Sequence, residues 1–390
     1  MDFALTPEQT LIAETARRIG EEYGLDYWAK LDKDKAFPAA MWHAIAEAGL
    51  AGVALPEEHG GGGQGMLELA LVIENLCAGG AGATLAQVFM LNPIFGGVSL
   101  ARYGTPAQKA ELLPKLCRGE VNFCMALTEP DAGTNTLEIK TFARADGNGW
   151  RLDGRKIWIT GVPDAAKMLV VARTKKLEES QRKTDGLSLF LVDVAREGLS
   201  HATIEKHGTN TLASCNVYFD NVRVEGSELV GTLHGGWPEL LDVLNTERIV
   251  TVAGLVGAGR LAARLGVGYA KDRKVFRGTP IGAYQGIQFP LAQAHAALEC
   301  ARLMNYKAAA LHDRGEPYGS EANMAKLIAA QAAPALIDRA MQTMGGMGFA
   351  REMHVERLLR DSRLFRFAPI SEEMLLNFIA QHDLGLPRSY

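Results

Sequence analysis

The chain has few cysteines and no pattern among them. Its five cysteines, at positions 77, 117, 124, 215 and 300, form no CxxC pair and are odd in number. Neither a disulfide framework nor a thiolate metal cluster is expected; the thiols should be reduced and mostly buried, in a cytoplasmic protein. A basic excess is missing too. The formal net charge is −4, so no positive field draws in nucleic acid. No cationic stretch leading into an apolar one opens the chain; Asp2, Glu8, Glu14, Glu21 and Glu22 stand there instead, which argues against a signal peptide. Charge is absent altogether from residues 76–101, a span long enough to cross a bilayer. Thr84, Gln87, Asn92, Pro93 and five glycines interrupt it. It is expected to form buried helices and a turn that line an apolar ligand pocket, without membrane insertion.

What is present fits a soluble globular protein: 47% hydrophobic and 22% charged residues over a length of 390, enough for two or three domains at ~150 residues each. Residues 1–122 show helical spacing. Thr6-Pro7-Glu8 and Thr105-Pro106 are helix starts, with threonine as N-cap and proline in the first turn. Apolar positions recur helically from Leu11 to Ile19, over 41–50 and over 66–77. The character changes near Phe123. Strand-like runs follow over 150–160 around an Asp153-Gly154 turn, over 168–173, 187–193 and 216–224, with an exposed hairpin loop at 175–185. Helical periodicity returns at Trp237, in segments 240–262, 290–314, 320–345 and 371–381. Residues 60–65 satisfy GxGxxG, but no firm strand precedes them and no acid lies in 80–86, so they are expected to be a glycine loop and not a dinucleotide site.

The most informative chemistry lies in residues 128–135, TEPDAGTN, and in Trp158-Ile159-Thr160. The first segment is a polar turn after the apolar run 123–127. Glu129-Pro130 ends the strand, since proline cannot donate to a ladder, and Gly133 allows a tight turn with exposed N–H groups. Trp158 and Thr160, two apart, share a strand face. A flat aromatic ligand stacked on Trp158 would have Thr160 and Thr128 at its edge.

Together these segments resemble the acyl-CoA dehydrogenase family. The α–β–α order of the chain matches that family end to end. The resemblance implies an N-terminal all-α domain (1–122), a central β-barrel-like domain (123–231) and a C-terminal four-helix-bundle domain (232–390). It implies FAD, with Leu127, Thr128, Gly133, Thr134, Trp158, Ile159 and Thr160 around the flavin, and Thr134 also toward the thioester. Arg273 and Phe276 resemble the family's RxxF, whose arginine meets the pyrophosphate. Gln285 follows that phenylalanine by nine residues where eight are usual. Gln342, Gly345 and Gly346 resemble its QxxGG turn, and Ser371 replaces a threonine near the flavin. The RxxF and QxxGG blocks serve the neighbouring subunit's flavin in that family. This implies a homo-oligomer, usually a dimer of dimers, with electron-transfer flavoprotein as the electron acceptor.

Oxidising an acyl-CoA thioester between its α and β carbons needs a base for the α proton opposite a hydride acceptor, flavin N5. A carboxylate serves as base when desolvation raises its proton affinity. Glu247 fits, because its helical-wheel neighbours Leu240, Val243, Leu244, Val250, Thr251 and Gly254 carry no charge. The resemblance places the more common catalytic glutamate at a position occupied here by Pro369. A smaller branch, with isovaleryl- and long-chain-type enzymes, has it immediately before an arginine, as in Glu247-Arg248. Arg248 is either a substrate anchor or a structural partner. Glu372 and Glu373 are rival bases, though Ser371-Glu372-Glu373 also makes an N-cap followed by acids favourable to the helix dipole. Alternatives on the same fold are a flavin-dependent monooxygenase or other non-dehydrogenase, and a non-catalytic acyl-CoA-binding protein.

Overall fold

The computed structural model describes residues 4–389. Helices come first: α1 (Pro7–Glu22), α2 (Leu25–Asp34), α3 (Ala39–Glu47), α4 (Met66–Leu76), α5 (Thr84–Phe89), α6 (Ser99–Tyr103) and α7 (Pro106–Cys117). The two threonine–proline starts behave as expected. Thr6 Oγ1 accepts from Gln9 N at 3.1 Å while Thr6 N donates to Gln9 Oε1 at 3.0 Å, and Thr105 and Gln108 repeat the exchange. Each pair satisfies N–H groups that a helix start leaves over. The glycines of 60–65 form a loop that delivers Gly65 as the N-cap of α4.

The uncharged stretch after α4 is almost wholly buried. Residues 77–81 close α4 with a wide turn, in which Gly82 N reaches back to Cys77 O. Residues 90–98, with Pro93 inside, wind similarly. Two spans, Thr84–Tyr103 and Gly236–Asp272, are long and apolar enough to cross a membrane by length and composition, and both are mostly buried within the molecule. Asn92 Oδ1 accepts from Phe123 N at 2.7 Å, fastening this stretch to the first strand.

The β elements are β1 (Phe123–Ala126), β2 (Phe142–Asp146), β3 (Gly149–Thr160), β4 (Lys167–Arg173), β5 (Leu187–Asp193), β6 (Leu199–Ile204), β7 (Ser214–Glu225) and β8 (Leu229–Val230). They form one sheet in the order β6-β7-β3-β2-β4-β5-β8, with β1 parallel to β4. The turn expected at Asp153-Gly154 is not there. β3 runs through it, and the β2–β3 hairpin turns at Gly147-Asn148 instead. Gly154 marks a register shift against β7. A Cβ on it would lie 2.5 Å from Thr141 Oγ1, so the glycine permits a close strand approach where a turn was inferred.

The C-terminal layer holds α8 (Gly236–Asp272), a small hairpin of β9 (Lys274–Val275) and β10 (Thr279–Pro280), then α9 (Gln285–Asp313), α10 (Gly319–Met344), α11 (Val355–Arg363) and α12 (Glu372–His382). α8 outruns its expected end at 262. Gly266 lets it continue in close contact with Ala340 of α10, where a Cβ would come within 2.8 Å.

A buried ion pair joins all three layers. Arg357 of α11 donates to the carbonyls of Gly80 (2.7 Å) and Ala81 (2.9 Å) and lies 3.4 Å from Asp361. Asp361 accepts from Thr84 Oγ1 at 2.8 Å and from Thr209 N, in the β domain, at 2.6 Å. Arg357→Ala would strand a buried carboxylate and two carbonyls. It should lower stability by about 3–5 kcal/mol, read as a fall in the urea unfolding midpoint.

Candidate active site

The turn and strand singled out in the sequence lie side by side. Ile157 N donates to Thr128 O at 2.9 Å, so the backbones of the two segments are bonded directly. β1 ends at Ala126, before the proline. Gly133 does not have a positive φ; a Cβ there would meet nothing within 4 Å. Its value at this position is open space, not a tight turn. Thr134 is exposed and Thr128 half-buried, and neither hydroxyl has a hydrogen-bond partner among the described residues.

Simple alternation also fails around Trp158. The register of β3 against β7 shifts between Lys156 and Ile159, and Trp158 has φ 61°. This bulge turns the indole outward while Lys156 and Ile159 are buried. Trp158 is 54% exposed, although large aromatic side chains normally gain most from burial. Thr160 returns to its face, half-buried, with Oγ1 3.2 Å from Ser214 Oγ. An outward indole, hydroxyls with spare hydrogen-bonding capacity and an uncrowded glycine fit a flat, heteroatom-edged ring.

Lys156, which the sequence reading passed over, holds this arrangement. It has no exposed surface. Its Nζ donates to Glu129 Oε1 at 2.9 Å and to Leu127 O at 2.8 Å. Glu129 also accepts from Lys140 N (2.6 Å) and Thr141 N (2.9 Å). Burial alone would raise the Glu129 carboxyl, yet the Lys156 ammonium and these N–H donors hold it below the usual range. Burial draws Lys156 down to about 8, against the pull of Glu129. The glutamate that seemed only to end a strand is therefore a tether. Lys156→Met should cost about 3–5 kcal/mol by leaving Glu129 uncompensated and should speed FAD loss, measured by flavin fluorescence after dilution.

Glu247 lies on α8, 5% exposed, and makes no salt bridge among the described residues. Burial pushes its carboxyl up to about 8, and the nearby charges of Arg248 and Lys326 only partly offset this. The buried segment 84–98 joins α8, about two turns beyond Glu247, to the end of the strand that carries Trp158. At one end, a Cβ on Gly254 of α8 would lie 2.4 Å from Ala86 Cβ; at the other, a Cβ on Gly161, next to Thr160, would lie 2.8 Å from Leu91 Cδ1. Arg248 is half-buried and donates to Asn245 Oδ1 at 2.6 Å. Of the rival acids, Glu372 is held by Arg366 (2.6 and 2.9 Å) and by Gln331 (3.4 Å), and the Arg366 hydrogen bond lowers its pKa. Glu373 is exposed. Ser371 caps α12, its Oγ accepting from Met374 N at 3.4 Å.

The remaining predicted cofactor residues lie elsewhere. Arg273, Phe276, Gln285, Gln342, Gly345 and Gly346 are all exposed, Phe276 by 81%. Phe276, Arg277 and Gly278 form the β9–β10 turn with positive φ, so the loop with the extra residue is a tight hairpin. From Glu247 to Arg273 is about 26 residues along α8, roughly 39 Å at 1.5 Å per residue.

The folded state keeps a proton on Glu247 that the unfolded chain releases above ~4.3. Stability from this group is therefore present below ~4.3 and is lost as pH rises through about 8. Glu247→Gln lacks this loss. Its melting temperature should gain on the wild type as pH is raised from 5 to 8.5, measured by thermal denaturation; a constant difference would contradict a raised Glu247.

An outward indole on β3 and a buried carboxyl on α8, two elements joined by one apolar segment, are an arrangement compatible with an oxidoreductase that works with a flat-ring cofactor. The chain belongs to the acyl-CoA dehydrogenase family. Sequence profiles of the family's N-terminal, middle and C-terminal domains match residues 6–120, 124–222 and 234–384. The acyl-CoA dehydrogenase FadE12 of Mycobacterium tuberculosis is 41% identical, the alignment covering 94% of each chain. A glutaryl-coenzyme A dehydrogenase in complex with glutaryl-CoA superposes with a TM-score of 0.94 at 28% identity, over 100% of this chain and 98% of that one. A Mycobacterium smegmatis glutaryl-CoA dehydrogenase in complex with FADH2 does so at 0.91 and 26%, over 99% and 96%. The protein is an oxidoreductase acting on CH–CH bonds, with FAD as its cofactor.

Proposed function

We propose that the protein removes two hydrogens from an acyl-CoA thioester to give the trans-2-enoyl-CoA, with Glu247 as the base. The observation that carries this is a carboxyl buried on α8 without a contact counter-ion among the described residues, its proton affinity raised to about 8 by burial, on a helix that packs against the uncharged segment 84–98. Trp158 offers the stacking face. Thr128, Thr160 and the backbone of Leu127 and Ile159 would meet the edge of a bound ring; Gly133 and Thr134 would hold the pyrophosphate and thioester end, and Ser371 would serve the flavin. Bound FAD supplies the acceptor for the β hydride. Glu247 takes the α proton, Arg248 anchors the thioester end, and the uncharged wall 84–98 receives the acyl chain and excludes water. That exclusion keeps the base proton-hungry and makes charge–dipole effects on the thioester stronger.

The distance along α8 supports a homo-oligomer. Arg273, Phe276, Gln285, Gln342, Gly345 and Gly346 lie too far along the bundle to complete this chain's own site and would serve the FAD of a second copy, in a dimer of dimers. Electron-transfer flavoprotein is the proposed acceptor and the cytoplasm the proposed location.

Anaerobic mixing of FAD-loaded protein with short, long, branched and cyclic acyl-CoAs tests the reading. At least one should bleach the flavin, with kcat/KM rising with pH toward a midpoint near 8. Glu247→Gln should slow bleaching by about 10²–10⁴-fold. Bleaching at the wild-type rate in this variant would reassign the base; no bleaching with any thioester would favour the monooxygenase or binding-protein alternative.

A further inference from the structure

Lys326 sits in the middle of α10 with no exposed surface. Its ammonium donates to Phe365 O at 2.8 Å and to Ile370 O at 2.6 Å. These carbonyls bracket residues 366–369, the turn that carries Pro369 and leads into α12. Like buried Arg173, and unlike buried Lys156 and Arg357, Lys326 has no carboxylate within salt-bridge distance among the described residues. Lys156 has Glu129 and Arg357 has Asp361. Of the acids whose charge reaches Lys326, Glu372 is occupied by Arg366 and Glu373 is exposed. The third is Glu247, also without a contact partner among the described residues, on α8. That helix packs along α10 with Gly259 against Ala333 and Gly266 against Ala340, a register that sets Lys326 level with Val252, five residues or about 7.5 Å of rise from Glu247.

We propose that Lys326 is a positioning residue for proton abstraction: it pins the turn 366–369 through two carbonyls and presents to Glu247 the positive charge that keeps its carboxylate form accessible. The inference rests on Glu247 being the base. Its surroundings leave few other sources for that charge. Arg248 on the same helix contributes. Segment 84–98 carries no charged residue. Glu74 of α4 is paired with Arg260 of α8 and Arg302 of α9, and Arg357 and Asp361 of α11 are paired with each other. A cation held off contact lowers the energy of the carboxylate without locking it into an ion pair, so the group can still accept a proton. Burial draws Lys326 itself down to about 8, against the pull of Glu372 and Glu247.

Three variants separate pinning from charge. Lys326→Gln keeps N–H donors for the carbonyls but loses the charge, Lys326→Met loses both, and Lys326→Arg keeps both. In anaerobic flavin reduction by an acyl-CoA that bleaches the wild type, Gln and Met variants should show the rising limb of kcat/KM displaced by about one pH unit upward. The rate at pH 7 should fall about tenfold, in proportion to the ionised fraction, and Arg should restore both. A readout independent of turnover is the melting-temperature gain of Glu247→Gln over Glu247 in FAD-loaded protein. In the Lys326→Gln background its pH window should extend upward.

Outcomes for the base and for the lysine are separable. If Glu247→Gln reduces flavin normally, the base assignment fails and takes this inference with it. If Glu247→Gln is inactive but Lys326→Gln leaves both the rising limb and the stability window in place, only the role of Lys326 is overturned. If Lys326→Met does not fold, the Gln and Arg variants still decide.

Discussion

The guanidinium of Arg357 is the point on which the three layers of this molecule depend. α4 ends in a widened turn, and the carbonyls of Gly80 and Ala81 point away from any helical N–H. Buried carbonyls without donors are costly, and Arg357 supplies donors to both. Burying the guanidinium then requires a counter-charge, which Asp361 provides. The remaining lone pairs of Asp361 are taken by Thr84 at the start of α5 and by Thr209 in the β domain. Each partner answers a need created by the one before. The outcome is a rigid joint at the head of segment 84–98, which fixes that segment against both α8 and the end of β3.

A fixed, uncharged segment has two consequences at once. In the proposed reading it offers a dry wall to an apolar ligand, and its packing on α8 adds to the burial that keeps water from Glu247. The same desolvation that raises the proton affinity of Glu247 makes its ionised form unfavourable in the folded state. A carboxyl in this position weakens the fold at alkaline pH, and this is tolerable because the joint at Arg357 and the long contact of α8 with α10 leave the pocket little freedom to relax or admit solvent. Strain of this kind is common where chemistry demands an environment that stability alone would not select.

Features carried by short-range rules were legible in the sequence. The helix starts at Thr6 and Thr105, the buried character of 76–101, the bare glycine loop at 60–65 and the uncharged face around Glu247 each follow from neighbours within a few residues. The bulge that turns Trp158 outward did not follow, because it is set by register against β7, which spacing along one strand cannot supply. The same blindness placed a turn at Gly154, where the glycine admits Thr141. Lys156 and Lys326 were missed for a different reason. A lysine within a strand or helix, whether it follows Arg155 or lies between Ala325 and Leu327, looks like a side chain that reaches solvent. Only the fold brings Glu129 and Leu127 to the first, and the carbonyls of Phe365 and Ile370 to the second.

These lysines and Arg357 share one design. Each donates to backbone carbonyl oxygen where the chain turns, and each differs in where the opposing carboxylate stands. Glu129 touches its lysine at 2.9 Å, accepts backbone N–H bonds as well, and is held low; it stays ionised and structural. Asp361 touches Arg357 and is consumed by Thr84 and Thr209 in the same way. Glu247 feels Lys326 and Arg248 without a salt bridge to either, and among the described residues its oxygens make no bond that would fix its protonation state. In an interior of low dielectric, contact between cation and acid decides whether the acid is a strut or a reagent. Of Glu129, Asp361 and Glu247, only Glu247 is kept out of contact with a cation among the described residues, and burial raises its proton affinity toward the neutral range, which is what a proton acceptor needs.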